Sequence, residues 1–200
     1  MPSKTTAKPI FRWSEKSQRY IAPNGRFVAR AKVLAELDRV RRGVGQEMRE
    51  LARQLRDGEI SRVEWVIAMK ARIKALHLMH AAVAAGGLDK LTPADLGRVG
   101  AAVRRQYEFL RRWEAQDLPV DGRFIARAEL YAGAAYGTFS DMERIKHKAA
   151  GYTEAKRVLG IAEHCPDCLE WAGKWLPIDV IPPIGASVCR TRCKCTIIYR

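Results

Sequence analysis

The hydrophobic positions of this chain follow a helical period over most of its length. Between residues 34 and 113, apolar side chains recur every three or four positions in three successive segments, which places them on one stripe of a helix in each case. The stripes are Leu34, Leu37, Val44, Met48, Leu51 and Leu55, then Val66, Met69, Ile73, Leu76 and Val83, then Leu96, Val99, Val103, Tyr107, Leu110 and Trp113. A fourth segment, rich in alanine, predicts a long helix from Phe124 towards Lys148.

Local signals mark where these helices begin and end. Asp57-Gly58 and Gly86-Gly87 are stop signals, because glycine readily adopts the left-handed conformation that follows a helix. Ser61, with Glu64 three residues later, predicts a capping box at the start of the second helix. Thr92-Pro93 predicts an N-cap followed by proline at the first helical position of the third.

No alternating strand pattern stands out before residue 176, so the sequence predicts an all-α fold. We expect a bundle of long antiparallel helices joined by short loops. Three regions follow: an extended N-terminal arm without a core of its own at residues 1–25, a helical body at 26–158, and a cysteine-rich tail at 159–200. The TIIY segment near the end predicts one short strand in that tail.

Two smaller patterns in the body leave alternatives open. NGRFVARAK (24–32) and DGRFIARAE (121–129) are nearly identical, which fits either two similar helix starts or a duplicated helical hairpin. His77 and His80 are three positions apart on a helix and could share a metal ion. His80 falls on the apolar stripe, however, and no third ligand can be nominated, so packed histidines are the favoured interpretation.

Charge is the first unusual property of the composition. Thirty-six basic and 22 acidic residues give a formal net charge of +14, which favours polyanionic partners such as nucleic acid, an anionic membrane face or an acidic protein surface. Most of the charge is spread along the predicted helices, as is typical of solvated faces. No run approaches eighteen apolar residues, and the N-terminal segment has no apolar core of a signal peptide, so we expect a protein made and kept in a cytoplasm.

All five cysteines lie within residues 165–200. A cytoplasmic address disfavours disulfides, and an odd count leaves one thiol unpaired. Zinc explains the arrangement better, because a C-x2-C turn offers two thiolates to one ion and a second pair from a distant segment completes a tetrahedron. Cys165 and Cys168 form the first pair, and Cys189, Cys193 and Cys195 supply the second.

We favour Cys165, Cys168, Cys189 and Cys193 as the zinc ligands. Cys195 and His164 are the substitutes. Disulfides formed late in an extracellular particle and free thiols are the remaining alternatives. A catalytic centre is not expected, because His164 adjoins Cys165 in sequence and their side chains tend to diverge, and because the H-x-E…P-C-x-x-C signature of zinc deaminases is absent. We expect a structural zinc that folds a small tail.

The segment from Leu159 to the end resembles the C-terminal motif of minor head, or head-morphogenesis, proteins of tailed bacteriophages. Cys165 and Cys168 match the C-x-x-C of that motif, Pro182-Pro183 matches its middle, and Cys193 and Cys195 match its final C-x-C. The motif commonly has His-Pro-Asn before the last pair, whereas here Cys189 lies near the histidine position and Arg192 replaces the asparagine. The resemblance covers about a fifth of the chain, and these departures affect the ligand set.

The resemblance implies a non-enzymatic virion protein, present in limited copies and oligomeric in the particle, that acts in head assembly in the host cytoplasm and then resides in the particle. Its implied partners are the portal or major capsid protein and, in addition, packaged DNA; no membrane partner is expected. The alternative is a cytoplasmic nucleic-acid-binding zinc protein. Its phosphate contacts would come from the basic residues of the tail, which are Arg190, Arg192, Lys194 and Arg200.

Overall fold

Four long helices make up most of the computed structural model, which describes residues 11–115 and 118–200. They are α1 (Arg30–Arg56), α2 (Arg62–Ala85), α3 (Pro93–Ala115) and α4 (Gly122–Ala149). The prediction of a mainly helical protein is therefore confirmed. Within the described part of the chain, no helix is both long enough and apolar enough to cross a membrane.

Helix α4 is the centre of the body. It packs along both α1 and α2, which also contact each other, while α3 lies mainly against α2. The apolar stripes read from the sequence meet between these helices. The most deeply buried apolar side chains include Val33, Met48, Met69, Ile73, Leu110 and Phe139.

The predicted helix signals act as expected. Ser61 and Glu64 form a complete capping box at the start of α2. Gly86 ends that helix in the left-handed conformation with a φ of 93°. Thr92 caps α3, because the Asp95 N–H donates to its hydroxyl oxygen at 3.1 Å. These contacts satisfy backbone groups that have no partner inside a helix.

The prediction of no strand before residue 176 is wrong. Strands β1 (Arg12–Ser14), β2 (Arg19–Ile21) and β3 (Phe27–Val28) form an antiparallel sheet in the order β1-β2-β3. Strands of two or three residues are too short to show an alternating pattern, which explains the error. The first ten residues of the predicted arm lie outside the described residues.

The described part of the arm is joined to the body by a buried polar contact. Tyr20 is 2% exposed, and its hydroxyl donates to Glu143 Oε1 of α4 at 2.8 Å. Arg30, at the start of α1, donates to the same oxygen through Nε at 2.7 Å. Glu143 is 1% exposed, so its buried carboxylate is compensated by a cation and a hydroxyl donor.

A second sheet organises the tail. Strand β4 (Glu154–Val158) lies between β5 (Trp175–Pro177) and β6 (Thr196–Tyr199), and both pairings are antiparallel. Strand β6 confirms the strand predicted at TIIY. Strand β4 lies just before the boundary predicted at residue 159 and pairs with two strands that follow that boundary. A short helix, α5 (Pro166–Glu170), lies between β4 and β5.

The two histidines of α2 are packed inside the body. His77 Nδ1 lies 2.7 Å from Thr138 Oγ1 on α4, and His80 Nδ1 lies 2.9 Å from the Leu76 carbonyl oxygen. Burial lowers the pKa of each imidazole to about 4, so both rings are neutral near pH 7. These contacts fit the favoured interpretation of packed side chains.

Glycines on α4 let the tail lie directly against the body. A Cβ atom on Gly133 would lie 2.7 Å from the Thr191 carbonyl oxygen, and one on Gly137 would lie 3.0 Å from the Ile184 carbonyl oxygen. Cβ atoms in proteins do not approach backbone oxygens as closely as 2.7 Å. Gly133 therefore permits the close contact between α4 and the segment that carries the last three cysteines.

We predict that Gly133→Ala weakens the contact between tail and body. The substitution should lower the free energy of unfolding by about 1 kcal/mol or more, because the tail must move away from α4. Gly43→Ala is the matched control: it lies in the middle of α1 with no atom within 4 Å of its added Cβ. The control should gain about 0.5–1 kcal/mol from helix propensity. Urea denaturation of both variants checks the opposite signs, and a stabilised Gly133→Ala would contradict the prediction.

Candidate metal centre

The five cysteines converge in the tail, although they come from two separate segments. Their sulfur atoms form two groups of three: Cys165, Cys168 and Cys189 in one, and Cys168, Cys193 and Cys195 in the other. Within each group, all ligand atoms lie within 4.8 Å of one another. Cys168 belongs to both groups, so it is the centre of the set. We call these five residues the cysteine cluster.

The first segment places its two thiols through a tight helical start. Cys165 is the N-cap of α5 and Pro166 is the first helical residue, where proline is well tolerated. The Cys168 N–H donates to the Cys165 carbonyl at 3.0 Å, which closes the turn and directs both sulfurs to the same side. This is the geometry expected of a C-x2-C pair of metal ligands.

The second segment contributes three thiols across one turn and the start of a strand. Cys189 and Cys193 flank a single 3-10 turn, Arg190–Arg192, and the Cys193 N–H donates to the Arg190 carbonyl at 3.2 Å. Cys195 immediately precedes β6, whose pairing with β4 fixes its position. The sheet therefore holds the second segment against the first.

The sulfur of Cys168 is spaced from two other sulfurs as ligands of a single tetrahedral ion would be. Cys168 Sγ lies 3.6 Å from Cys189 Sγ and 3.9 Å from Cys193 Sγ. Four thiolates at the usual Zn–S distance of about 2.3 Å are about 3.8 Å apart. The favoured four, Cys165, Cys168, Cys189 and Cys193, are divided between the two groups: Cys193 lies with Cys195, and Cys168 joins it to Cys165 and Cys189.

His164 also belongs to this site. Its Nε2 lies 2.9 Å from the Gly160 carbonyl oxygen, and its Nδ1 lies 3.8 Å from Cys195 Sγ. A carbonyl oxygen only accepts, so Nε2 is the donor to Gly160, and Nδ1 is the ring nitrogen that faces the sulfur. The structure therefore brings together all six residues predicted from the sequence, and His164 faces Cys195 rather than its neighbour Cys165.

A residue that the sequence analysis missed lies beside these sulfurs. Arg157 of β4 is fully buried, and its Nη1 is 3.7 Å from Cys168 Sγ and 3.8 Å from Cys193 Sγ. Its Nη2 donates to the Pro182 carbonyl at 2.6 Å. Within residues 11–115 and 118–200, no carboxylate forms an ion pair with it.

The position of Arg157 indicates the charge of the cysteine cluster. A buried guanidinium is costly unless a negative charge compensates it. The groups placed to supply that charge are the sulfurs of Cys168 and Cys193, in their thiolate form. Ala155 and Arg157 share the buried face of β4, but the sequence EAKRV has no apolar alternation that would have identified Arg157.

The thiols affect one another's ionisation. Hydrogen bonds from the backbone N–H groups of Cys168 and Cys189 lower the pKa of the Cys165 thiol to about 7. Burial and the adjacent Cys165 and Cys189 thiols raise the pKa of Cys168 well above its ordinary value. Several thiolates cannot share this space near neutral pH without a cation to compensate them, and a divalent metal ion is such a cation.

The basic tail residues proposed as phosphate contacts do not form one surface. Arg200 Nε lies 2.7 Å from Glu154 Oε2, and its guanidinium stacks 4.4 Å from the Trp175 ring centroid. Lys194 Nζ lies 3.9 Å from Asp38 Oδ1 of α1. Arg190 and Arg192 are exposed on the 3-10 turn. Two of the four are therefore engaged by carboxylates of the same chain.

We predict that Arg157→Met lowers metal affinity by about tenfold to a hundredfold. Removal of a residue that contacts the ligands, but not the metal, typically has an effect of this size. Methionine keeps much of the volume and removes the charge that compensates the thiolates. Arg192→Met, an exposed change in the same tail, is the control and should leave affinity nearly unchanged. Competition with a chromophoric chelator measures both, and circular dichroism verifies the helical body. Equal affinities for Arg157→Met and the unaltered chain would contradict the assigned role.

Comparison with known proteins gives no relative from which to transfer a function. No protein-family model matches the chain, and neither a curated protein nor a solved structure matches it. The likeness to bacteriophage minor head proteins is consequently carried by the tail motif alone. The molecule is shown to be a mainly helical protein whose C-terminal cysteines lie within metal-binding distance of one another.

Proposed function

We propose that this chain is a structural protein of a tailed-bacteriophage head, a minor capsid-associated component with a tail folded around one zinc ion. The observation that carries the proposal is the convergence of the cysteine cluster. Its two segments are those in which the C-x-x-C and C-x-C of the minor-head motif were identified. Pro182, in the middle of the motif, contacts the same centre through its carbonyl and Arg157.

The donor set supports zinc as the metal. Thiolates are soft ligands that favour zinc, copper(I) or iron–sulfur clusters, and a tetrahedral set of four is typical of a structural zinc site. Cys165, Cys168, Cys189 and Cys193 would hold the ion, with Cys195 or His164 able to replace one of them. Four thiolates and Zn²⁺ carry a net charge of about −2, which the buried Arg157 partly offsets.

A structural role for the metal follows from the size of the tail core. The buried apolar side chains there are few, and besides the cysteines they are Ala155, Ile178, Ile181, Ile184 and Ile197. A core of this size rarely stabilises a fold alone, and small domains commonly add a metal for that reason. A closed site of four protein ligands supplies folding energy and leaves no open position for substrate. We therefore assign the chain no enzymatic activity.

Exposed apolar side chains support a role in assembly with other proteins. Leu159, Ile161, Leu169 and Val188 flank the cysteines in sequence and are exposed, Ile161 completely. Exposed apolar groups that form a patch are typical of protein interfaces, and we propose that these four contribute to one. The portal protein and the major capsid protein are the proposed partners. The chain would act in the host cytoplasm during assembly and stay in the virion in several copies.

The alternative, a cytoplasmic nucleic-acid-binding zinc protein, is less supported by the tail residues first nominated for it. Arg200 and Lys194 are near carboxylates, so they offer little free charge to a phosphate chain. Arg190 and Arg192 remain available. The tail also packs against α4, so it is part of the folded molecule and not a separate extension available to nucleic acid.

Mass spectrometry of purified phage particles tests the proposal. We expect the chain in virions, at fewer copies than the major capsid protein. It should remain after washing with about 1 M salt, where the Debye length is only about 3 Å and exposed ionic contacts are screened. A Cys168→Ser chain should be absent from particles, because the tail would not fold.

Gly43→Ala, which changes an open position on α1, serves as the incorporation control and should enter particles normally. The proposal would be wrong if the unaltered chain were abundant in the infected cell and missing from virions. Release of the chain by the salt wash, together with packaged nucleic acid fragments, would favour the nucleic-acid-binding alternative instead.

A further inference from the structure

The positive charge of the body is not evenly compensated. On α1, most arginines have a carboxylate partner on the same helix or at its end, as in Arg39–Glu36, Arg41–Asp38, Arg42–Asp38, Arg53–Glu50 and Arg56–Asp57. On α3 and the first half of α4 the pattern differs. Within the described residues, no carboxylate lies within 4.0 Å of six arginines there, which are Arg104, Arg105, Arg111, Arg112, Arg123 and Arg127.

Three of these arginines line a cleft between α3, α4 and the tail. The cleft has a volume of about 780 Å³; Arg105 and Arg112 line it from α3, Arg127 from α4, and Arg190 from the tail. The carboxylate in its lining is Asp141, which forms an ion pair with Arg144 at 3.2 Å. Four cations thus face a common space with little internal compensation.

Aromatic side chains accompany the arginines. Phe109 lines the cleft and is 42% exposed, and the Arg112 guanidinium lies 5.6 Å from its ring centroid. An exposed ring beside a guanidinium is a stacking surface for a base, and arginine binds phosphate through two parallel hydrogen bonds. Arg105, Phe109 and Arg112 line the cleft from α3, whereas the buried Val99, Val103 and Leu110 of the same helix belong to the hydrophobic core.

We propose that this cleft binds single-stranded nucleic acid. Arg105, Arg112 and Arg127 hold successive phosphates, and Phe109 stacks on a base. The cleft lies within the range of volumes of small-ligand sites, about 300–1,000 Å³, which accommodates a few nucleotides. A duplex should bind less well, because its bases are paired and stacked on one another and are not free to stack on Phe109. The inference goes beyond the proposed function and does not depend on it.

The metal centre supports one wall of this cleft. Arg190 lies between Cys189 and Cys193, and Cys193 itself contributes to the lining. Arg190 has a φ of 45°, a left-handed conformation that non-glycine residues seldom adopt and that persists only where the surroundings enforce it. The turn that contains this conformation is flanked by Cys189 and Cys193, and Arg190 lines the cleft. Nucleic acid and metal binding should therefore be coupled through the tail.

Fluorescence anisotropy with a labelled oligothymidylate and the full metal-loaded chain tests the proposal. The triple variant R105Q/R112Q/R127Q should bind at least about tenfold more weakly. Its slope of log affinity against log salt should fall by about 2, since each phosphate contact on a single strand contributes about 0.7. Phe109→Ala should weaken binding about fivefold or more with the salt slope unchanged, because stacking releases no counterions.

The matched control removes the same charge from α1. R39Q/R53Q/R56Q changes three exposed arginines that already have carboxylate partners, and its affinity should change by less than about threefold. An equal loss in both triple variants would overturn the proposal, because net charge alone would then explain binding. So would a duplex that binds as tightly as the single strand, or a glutamate-rich peptide of equal charge that binds the cleft more tightly than the oligonucleotide. The assay requires no phage particle, so its failure would leave the virion proposal intact.

Discussion

The contact between cysteine sulfurs and the buried guanidinium of Arg157 is the constraint on which the tail depends. Arg157 is fully buried in β4, and the sulfurs of Cys168 and Cys193, from two distant segments, both lie beside its Nη1. We propose that the sulfurs carry negative charge here and that a bound metal ion allows several thiolates to coexist. The attraction between Arg157 and the sulfurs thus holds together strand β4, the turn at Cys168 and the C-terminal segment. The apolar core of the tail is small, so this attraction matters for its stability.

Helix α4 connects the tail to the rest of the molecule. Gly133 and Gly137 let the tail lie against its middle, while its C-terminal half receives the N-terminal sheet through Glu143. His147, one turn further on, stacks on Tyr199 of β6 at 4.3 Å and lies 5.2 Å from Trp13 of β1. Both ends of the described chain therefore meet on one helix, and the arginine-lined cleft lies between that helix, α3 and the tail.

The sequence was most informative where a single local cause decides the structure. Helical periodicity and caps such as Ser61 with Glu64 predicted the four helices, and the spacing of the cysteines predicted that they converge. The repeated nine-residue segment shows the limit of such reasoning. Phe27 lies in a strand and is 58% exposed, whereas Phe124 lies in a helix and is 2% exposed, although their neighbours are nearly identical. Contacts with distant residues decide between the two outcomes.

Long-range pairing also explains the other errors. Strands of two to five residues are stabilised by their partners, so β1 to β4 left little pattern in the sequence. Arg157 appeared to be one more solvated charge, because its burial depends on sulfurs that follow it by as many as 36 positions along the chain. Which arginines lack carboxylate partners is likewise a property of the assembled helices and not of the charge count.

X-ray absorption spectroscopy at the zinc edge, on the intact reduced chain, measures the central interaction most directly. The account predicts one zinc ion per chain with three or four sulfur ligands at about 2.3 Å and at most one nitrogen ligand. A metal-free chain whose five cysteines all react with a thiol reagent, while circular dichroism shows a folded protein and proteolysis leaves the tail intact, would contradict it. In that case, charge compensation by a metal would not be what folds the tail.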